Sequence, residues 1–267
     1  MEYVCSIIFE KRRFMLAPKE IADTVVEVGK KKAKLSASKM ILLGILAGMF
    51  IALAGVGATL GNVAGGKIAG ACIFPAGLAM VVVAGSELFT GNNLMIIAFL
   101  KKKITLKELL KNWGLVFLGN LIGALIVAFL VVVGGVLDGA SDAVTTTAVN
   151  KFNLDFIEAF VRGILCNFLV CIAVWMAFGA ETVTGKIIAV FFPIMLFVLC
   201  GFEHSVADMF YGPAGIFMAI KNGVSVEGLN VGAFLFQNLL PVTLGNIVGG
   251  AGLVGGGYYL IYLKNKK

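Results

Sequence analysis

The chain has 267 residues, of which 60% are hydrophobic and only 14% charged, and its mean hydropathy is +0.99. Soluble domains carry about 25% charged residues, so a water-soluble fold is excluded, whereas a bilayer accepts apolar spans of about 20 residues. The net charge of +7 lies on residues that flank apolar spans. It forms no basic stripe with interleaved aromatics, which excludes a nucleic-acid partner.

Residues 1–14 show no cleavable signal, because the apolar stretch 3–9 is short and Lys11, Arg12 and Arg13 follow it instead of preceding it. They read as a leader or extraneous stretch before Met15, a candidate start. Residues 18–35 predict an amphipathic helix, with Pro18 in its first turn and Ile21, Val25 and Val28 on one face. Lys30, Lys31, Lys32 and Lys34 follow and suit an anionic membrane surface. Residues 1–36 are therefore taken as a cytoplasmic N-terminal segment, and 37–267 as a six-helix membrane domain.

Six apolar regions follow, at 40–60, 68–100, 112–137, 156–180, 187–220 and 229–263. The second and fifth, 33 and 34 residues long, are too long for one straight span and too short for two. Each carries an acid near its middle, Glu87 or Glu203. A charge at mid-membrane costs at least about 2.5–3.5 kcal/mol and marks protein-facing or water-filled surroundings. Both regions are predicted to be spanning helices broken at mid-membrane.

Lysine and arginine placement sets the orientation. With both termini in the cytoplasm, 18 of the 22 basic residues lie inside, and only Lys67, Lys151, Arg162 and Lys221 lie outside. The segment 138–155 then falls outside.

The breaks repeat. Gly85-Ser86-Glu87 and Gly201-Phe202-Glu203 stand 116 residues apart. The motif starting Gly119-Asn120 and ending at Gly123 returns 126 residues later, starting Gly245-Asn246 and ending at Gly249. Three crossings per half is an odd number, so the halves are predicted to form a 3+3 inverted repeat with a site where the broken helices meet.

His204 is the single histidine. Placed beside Glu203 in an apolar stretch, it is a functional candidate, since a group titrating near pH 6.5 can exchange protons there. Thr90, in the first break, offers a hydroxyl donor, and the unwound backbone offers free amides to an anion that has shed water. The Asn167 amide can bond His204, line a path or tie a neighbouring helix. Phe74, Leu78, Leu88, Phe89 and Phe197 flank the breaks as candidate dewetting constrictions or plain packing. Lys151 is an outer cation that can attract anions or simply be solvated.

Cys72, Cys166, Cys171 and Cys200 lie in apolar segments and read as small buried hydrophobes, and Cys5 stands alone. One histidine and no clustered cysteines exclude the usual zinc sites. The chain has no phosphate-cradling Gly-Lys-Ser/Thr, no Asn-Pro-Ala pair and no twin histidine. These gaps count against an ATP-driven pump, a water channel and an ammonium channel. No enzyme chemistry, metal or cofactor is implied.

Residues 85–92 (GSELFTGN), 162–175 (RGILCNFLVCIAVW) and 201–210 (GFEHSVADMF) together resemble the formate/nitrite transporter family, from about residue 15 to the C-terminus. The chain looks most similar to the hydrosulfide-channel branch. The resemblance implies a homopentamer of aquaporin-like protomers in the bacterial cytoplasmic membrane, surrounded by lipid. Each protomer would hold one pore for small monovalent anions: formate, nitrite, lactate or hydrosulfide. By motif, His204 and Thr90 become the central polar pair, with Asn167 near them. Leu88 with Phe197 forms the outer constriction and Phe74 with Leu78 the inner one. Lys151 is the vestibule cation, held by Glu203. Phe168 departs from the pattern, which has tryptophan there.

A channel, a proton-coupled anion symporter of the same fold and a non-transporting scaffold are the three readings. A scaffold has no use for Glu203 and His204 in the membrane interior.

Overall fold

The computed structural model describes residues 15–264. Among them the chain is helical apart from one isolated bridge, between Met15 and Ala180. Helix α1 (Pro18–Ala33) begins on its proline, and Glu20 bonds back to the Ala17 amide at 2.8 Å. Its buried face, with Ile21 and Val25, packs on Leu94, Ile97, Trp175 and Val254. Lys32 does not face a lipid surface, as the sequence suggests, but turns inward onto Glu87.

Helix α2 (Ala37–Ile73) starts at Ser36, whose hydroxyl accepts from Lys39 N–H. It reverses at Gly66, where φ is +76°. Residues 37–65 therefore form the first crossing, about 43 Å long at 1.5 Å per residue. The second crossing begins directly after Gly66 and continues into α3 (Pro75–Ala84). No polar loop separates the two. A single left-handed residue makes the turn, inside the gap that the sequence leaves between the apolar regions 40–60 and 68–100.

The second crossing breaks at Gly85 (φ +79°) and resumes as α4 (Phe89–Asn92), a short 3-10 turn and α5 (Ile96–Leu100). The third crossing is α6 (Leu106–Val133), opened by a Thr105/Glu108 capping box. Next comes α7 (Ser141–Phe152), a short helix in the segment that the sequence places outside. The fourth crossing, α8 (Phe156–Gly179), is capped by Asp155. The fifth comprises α9 (Val183–Cys200), a break at Gly201 (φ +71°) and α10 (Ser205–Lys221). Both breaks fall where the sequence predicts them.

The sixth crossing, Ala233–Leu263, departs from a regular α-helix. Only α11 (Leu240–Ile247) is α-helical, and π-type turns flank it. Six glycines between Gly249 and Gly257 leave its backbone free to widen.

The inverted repeat appears in the hydrogen bonds. Asn120 Nδ2 donates to Gly44 O (2.8 Å) and Glu87 O (2.9 Å), while its Oδ1 accepts from Phe89 N–H at 2.9 Å. Asn246 Nδ2 donates to Gly163 O (2.8 Å) and Glu203 O (3.0 Å), while its Oδ1 accepts from Ser205 N–H at 2.9 Å. One asparagine from the third helix of each half thus pins that half's break to its first helix. Unwinding a helix in hydrocarbon frees backbone groups that must find partners, and these amides supply them.

Candidate functional site

Breaking a helix at mid-membrane leaves two new helix ends there, and the chain brings them together. His204 caps the start of α10, its Nδ1 accepting from Ala207 N–H at 3.1 Å. Thr90, second residue of α4, lies opposite, with Oγ1 2.9 Å from His204 Nε2. An Nδ1 that accepts cannot carry a proton, so the ring is assigned the Nε2–H tautomer, donating to Thr90. Both residues are buried. The N-terminal ends of both half-helices, which carry partial positive charge, therefore abut at the same point.

A cavity lies on each side. On the Lys151 side a space of about 190 Å³ is lined by Phe74, Phe197, Glu203, His204 and Asp208. On the Lys32 side a space of about 240 Å³ is lined by Leu78, Leu88, Glu87, Asn92 and Lys186. The structure thus regroups the predicted constrictions. Phe74 stands with Phe197, their rings edge to face at 5.7 Å. Leu78 stands with Leu88 on the other cavity. Positions 74 and 78 are one helical turn apart and share a face, but they lie about 6 Å apart along the axis and line different cavities.

Two other predicted residues line neither cavity. Phe89 packs its ring edge to face on Trp113 (6.2 Å) and Phe117 (5.1 Å) and lines neither cavity. Asn167 is fully buried and does not bond His204. Its Nδ2 reaches Asn246 O (2.7 Å), Asn93 Oδ1 (3.0 Å) and Thr90 O (3.3 Å), so it fixes the backbone that carries Thr90.

Each cavity holds a lysine against the acid of its break. Lys151 Nζ lies 2.8 Å from both Glu203 Oε2 and Asp208 Oδ1. Burial opposes its charge, but Asp208 and Glu203 outweigh that and hold the ammonium well above the ordinary lysine range. Lys32 Nζ lies 2.7 Å from Glu87 Oε1 and donates to Asn92 Oδ1 at 2.9 Å.

Lys32, Asn92, Asp208 and the two pinning asparagines were not singled out as site residues on sequence. Polar residues inside apolar spans at repeat-related positions were the available signal. Cys72 and Cys200, expected to be buried, are exposed on the single protomer, whereas Cys166 and Cys171 are buried. Phe168, the departure from the motif, is also exposed. Among the described residues no cluster of histidine, cysteine or acid side chains suits a metal ion.

The sequence profile of the family described as formate/nitrite transporter matches residues 19–260. The chain belongs to this family. The formate channel FocA of Haemophilus influenzae is 38% identical over 262 residues, covering 90% of this chain and 92% of that protein. An uncharacterized transporter, YrhG, of Bacillus subtilis (strain 168) is 41% identical over 266 residues, covering 94% and 95%. A solved pentameric formate channel with formate bound superposes with a TM-score of 0.74 at 37% identity, covering 85% of this chain and 98% of its own. An FNT family ion channel gives 0.79 at 29% identity, covering 91% and 98%. The chain is an integral membrane protein, all α-helical, with six crossings arranged as in these channels and breaks in the second and fifth.

Proposed function

We propose that the protein is a passive channel for small monovalent anions, with formate first and nitrite and hydrosulfide beside it. It assembles as a homopentamer with one pore per protomer. It resides in a bacterial cytoplasmic membrane with both termini inside, so that Lys32 marks the inner mouth and Lys151 the outer. The observation that carries this reading is the Thr90–His204 pair, buried between two cavities that open on opposite sides. Relatives named formate channels support formate over the hydrosulfide suggested by the sequence.

The mechanism follows from desolvation. Moving a bare anion into low dielectric costs tens of kcal/mol. Apolar residues at both constrictions exclude water, and the abutting helix N-termini favour negative charge between them. His204 acts as a hydrogen-bond donor, not a proton donor. Its Nδ1 is held by the Ala207 amide, and losing Nε2–H would leave an imidazolate. With Nε2–H donating to Thr90, the threonine hydroxyl is free to donate in turn to the anion. The anion therefore crosses the narrowest point with its charge, held by that hydroxyl and by the two helix N-termini.

A second reading is proton-coupled symport by the same fold. It is favoured by the Glu203 and Asp208 carboxylates, which set protonatable groups at one mouth. Flux of formate, nitrite, hydrosulfide and chloride into liposomes holding the purified protein tests both. Rapid flux of the weak-acid anions that an opposing pH gradient cannot drive uphill is the expected outcome. Accumulation against the anion gradient would establish symport, and no flux from folded protein would overturn both readings.

A further inference from the structure

One substitution separates the two mouths. Glu87 and Glu203 stand 116 residues apart, and so do Asn92 and Asp208. On the Lys32 side the ion pair is closed by a neutral amide, because Asn92 Nδ2 donates to Glu87 Oε2 at 2.7 Å and to Asn112 Oδ1 at 2.8 Å. One ammonium balances one carboxylate, and Lys186 adds a further positive charge to that cavity. On the Lys151 side a carboxylate stands in place of the amide. A single ammonium then faces two carboxylates, both at 2.8 Å.

Among the described residues the excess charge has no other partner on the Lys151 side. Helix α7 presents Lys151, and the break presents Glu203 and His204. Helix α8 presents Cys166, and α10 presents Tyr211, whose ring centroid lies 5.4 Å from Lys151 Nζ. Arg162, one turn before Cys166 on α8, pairs with Glu158. A second observation concerns Asn238. It stands 126 residues after Asn112, the offset that relates the third and sixth crossings, and is fully buried. Neither its amide nitrogen nor its carbonyl oxygen makes a hydrogen bond. Its counterpart Asn112 is bonded through Asn92, and an ionised Asp208 has no hydrogen to offer.

We propose that Asp208 makes anion entry from the Lys151 mouth conditional on a proton: with Asp208 ionised beside Glu203 the vestibule repels the anion, and a proton on Asp208 restores the balance that the Lys32 mouth has. This inference rests on the channel reading. Asp208 is a positioning residue, acting through the charge of Lys151 and not by touching the anion. A fixed charge in a low-dielectric vestibule changes entry rates by about 10 to 10³-fold, and the Lys32 mouth lacks that dependence.

The test is formate influx into right-side-out and inside-out membrane vesicles, with the interior buffered and the exterior stepped from about pH 8 to about pH 5.5, the range in which a perturbed carboxyl titrates. Influx into vesicles lacking the protein is subtracted. In right-side-out vesicles at the alkaline end, D208N is expected to exceed the wild type by about tenfold and to show a flatter pH profile. D208E should keep the wild-type profile. In inside-out vesicles wild type and D208N should coincide, whereas N92D should import the proton dependence to that mouth. Should D208N not assemble, the N92D profile carries the test. Superimposable wild-type and D208N profiles, or an N92D profile unchanged from wild type, would overturn the inference while leaving the channel standing. Absence of formate flux in the wild type would overturn both.

Discussion

Asn120 and Asn246 show how much rests on a single side chain. Each satisfies two backbone groups at a break and ties them to a carbonyl of the neighbouring crossing, in a medium that offers no water in their place. A buried polar group left unsatisfied costs about 1–3 kcal/mol. Asn246→Leu removes the partners of Ser205 N–H and Glu203 O at the break and the added bond on Gly163 O, so a loss of about 2 kcal/mol or more is expected. Thermal unfolding in detergent reads this directly, and an unshifted melting temperature would contradict the pinning role. Because the orphaned amide belongs to Ser205, next to His204, anion flux should fall in the same variant even at temperatures where it remains folded. Their importance was only half legible. The repeated Gly-Asn motif identified both asparagines as related, but which backbone groups they reach depends on a partner helix some 80 residues away in sequence.

At the scale of the element, the breaks are set by local chemistry and the constrictions are not. Gly85 and Gly201 end their half-helices in left-handed conformation, and a Cβ built on either would meet nothing within 4 Å. The penalty of Gly201→Ala is therefore purely of the backbone, about 1–2 kcal/mol. That variant should fold, be slightly less stable and carry reduced flux, because a reoriented break moves His204 off Thr90. Unchanged flux with a clear stability loss would separate the break from the pathway. Close approach imposes the opposite kind of demand. A Cβ on Gly123 would lie 2.0 Å from Ile45 O, and one on Gly249 would lie 2.1 Å from Ile164 O. There any larger residue must push two crossings apart. Local sequence reveals that a glycine is present, but only packing tells which of these two reasons holds it. The same limit applies to Phe74 and Leu78: the family resemblance pairs them in one constriction, yet packing puts them on different cavities.

The whole molecule leaves large apolar side chains exposed on the single protomer, among them Phe129, Phe192, Phe236 and Ile261. In a membrane protein such a surface faces lipid or another subunit. Five copies of the 28.1 kDa chain, about 140 kDa, are expected by native mass spectrometry from a mild detergent. A monomer under those conditions would contradict the assembly. The sequence by itself determined the solvent, the six crossings, both breaks and the inverted repeat. These follow from span length, intramembrane charge and motif spacing, which are local and additive along the chain. Tertiary structure alone decided that Lys32 turns inward, that Asp208 shares Lys151, that Asn167 braces the backbone and that Phe89 packs away from both cavities. It also decided which cysteines are buried. Inside a bilayer apolar residues face lipid and core alike, so hydropathy cannot tell one face of a helix from another, and only the packed neighbours can.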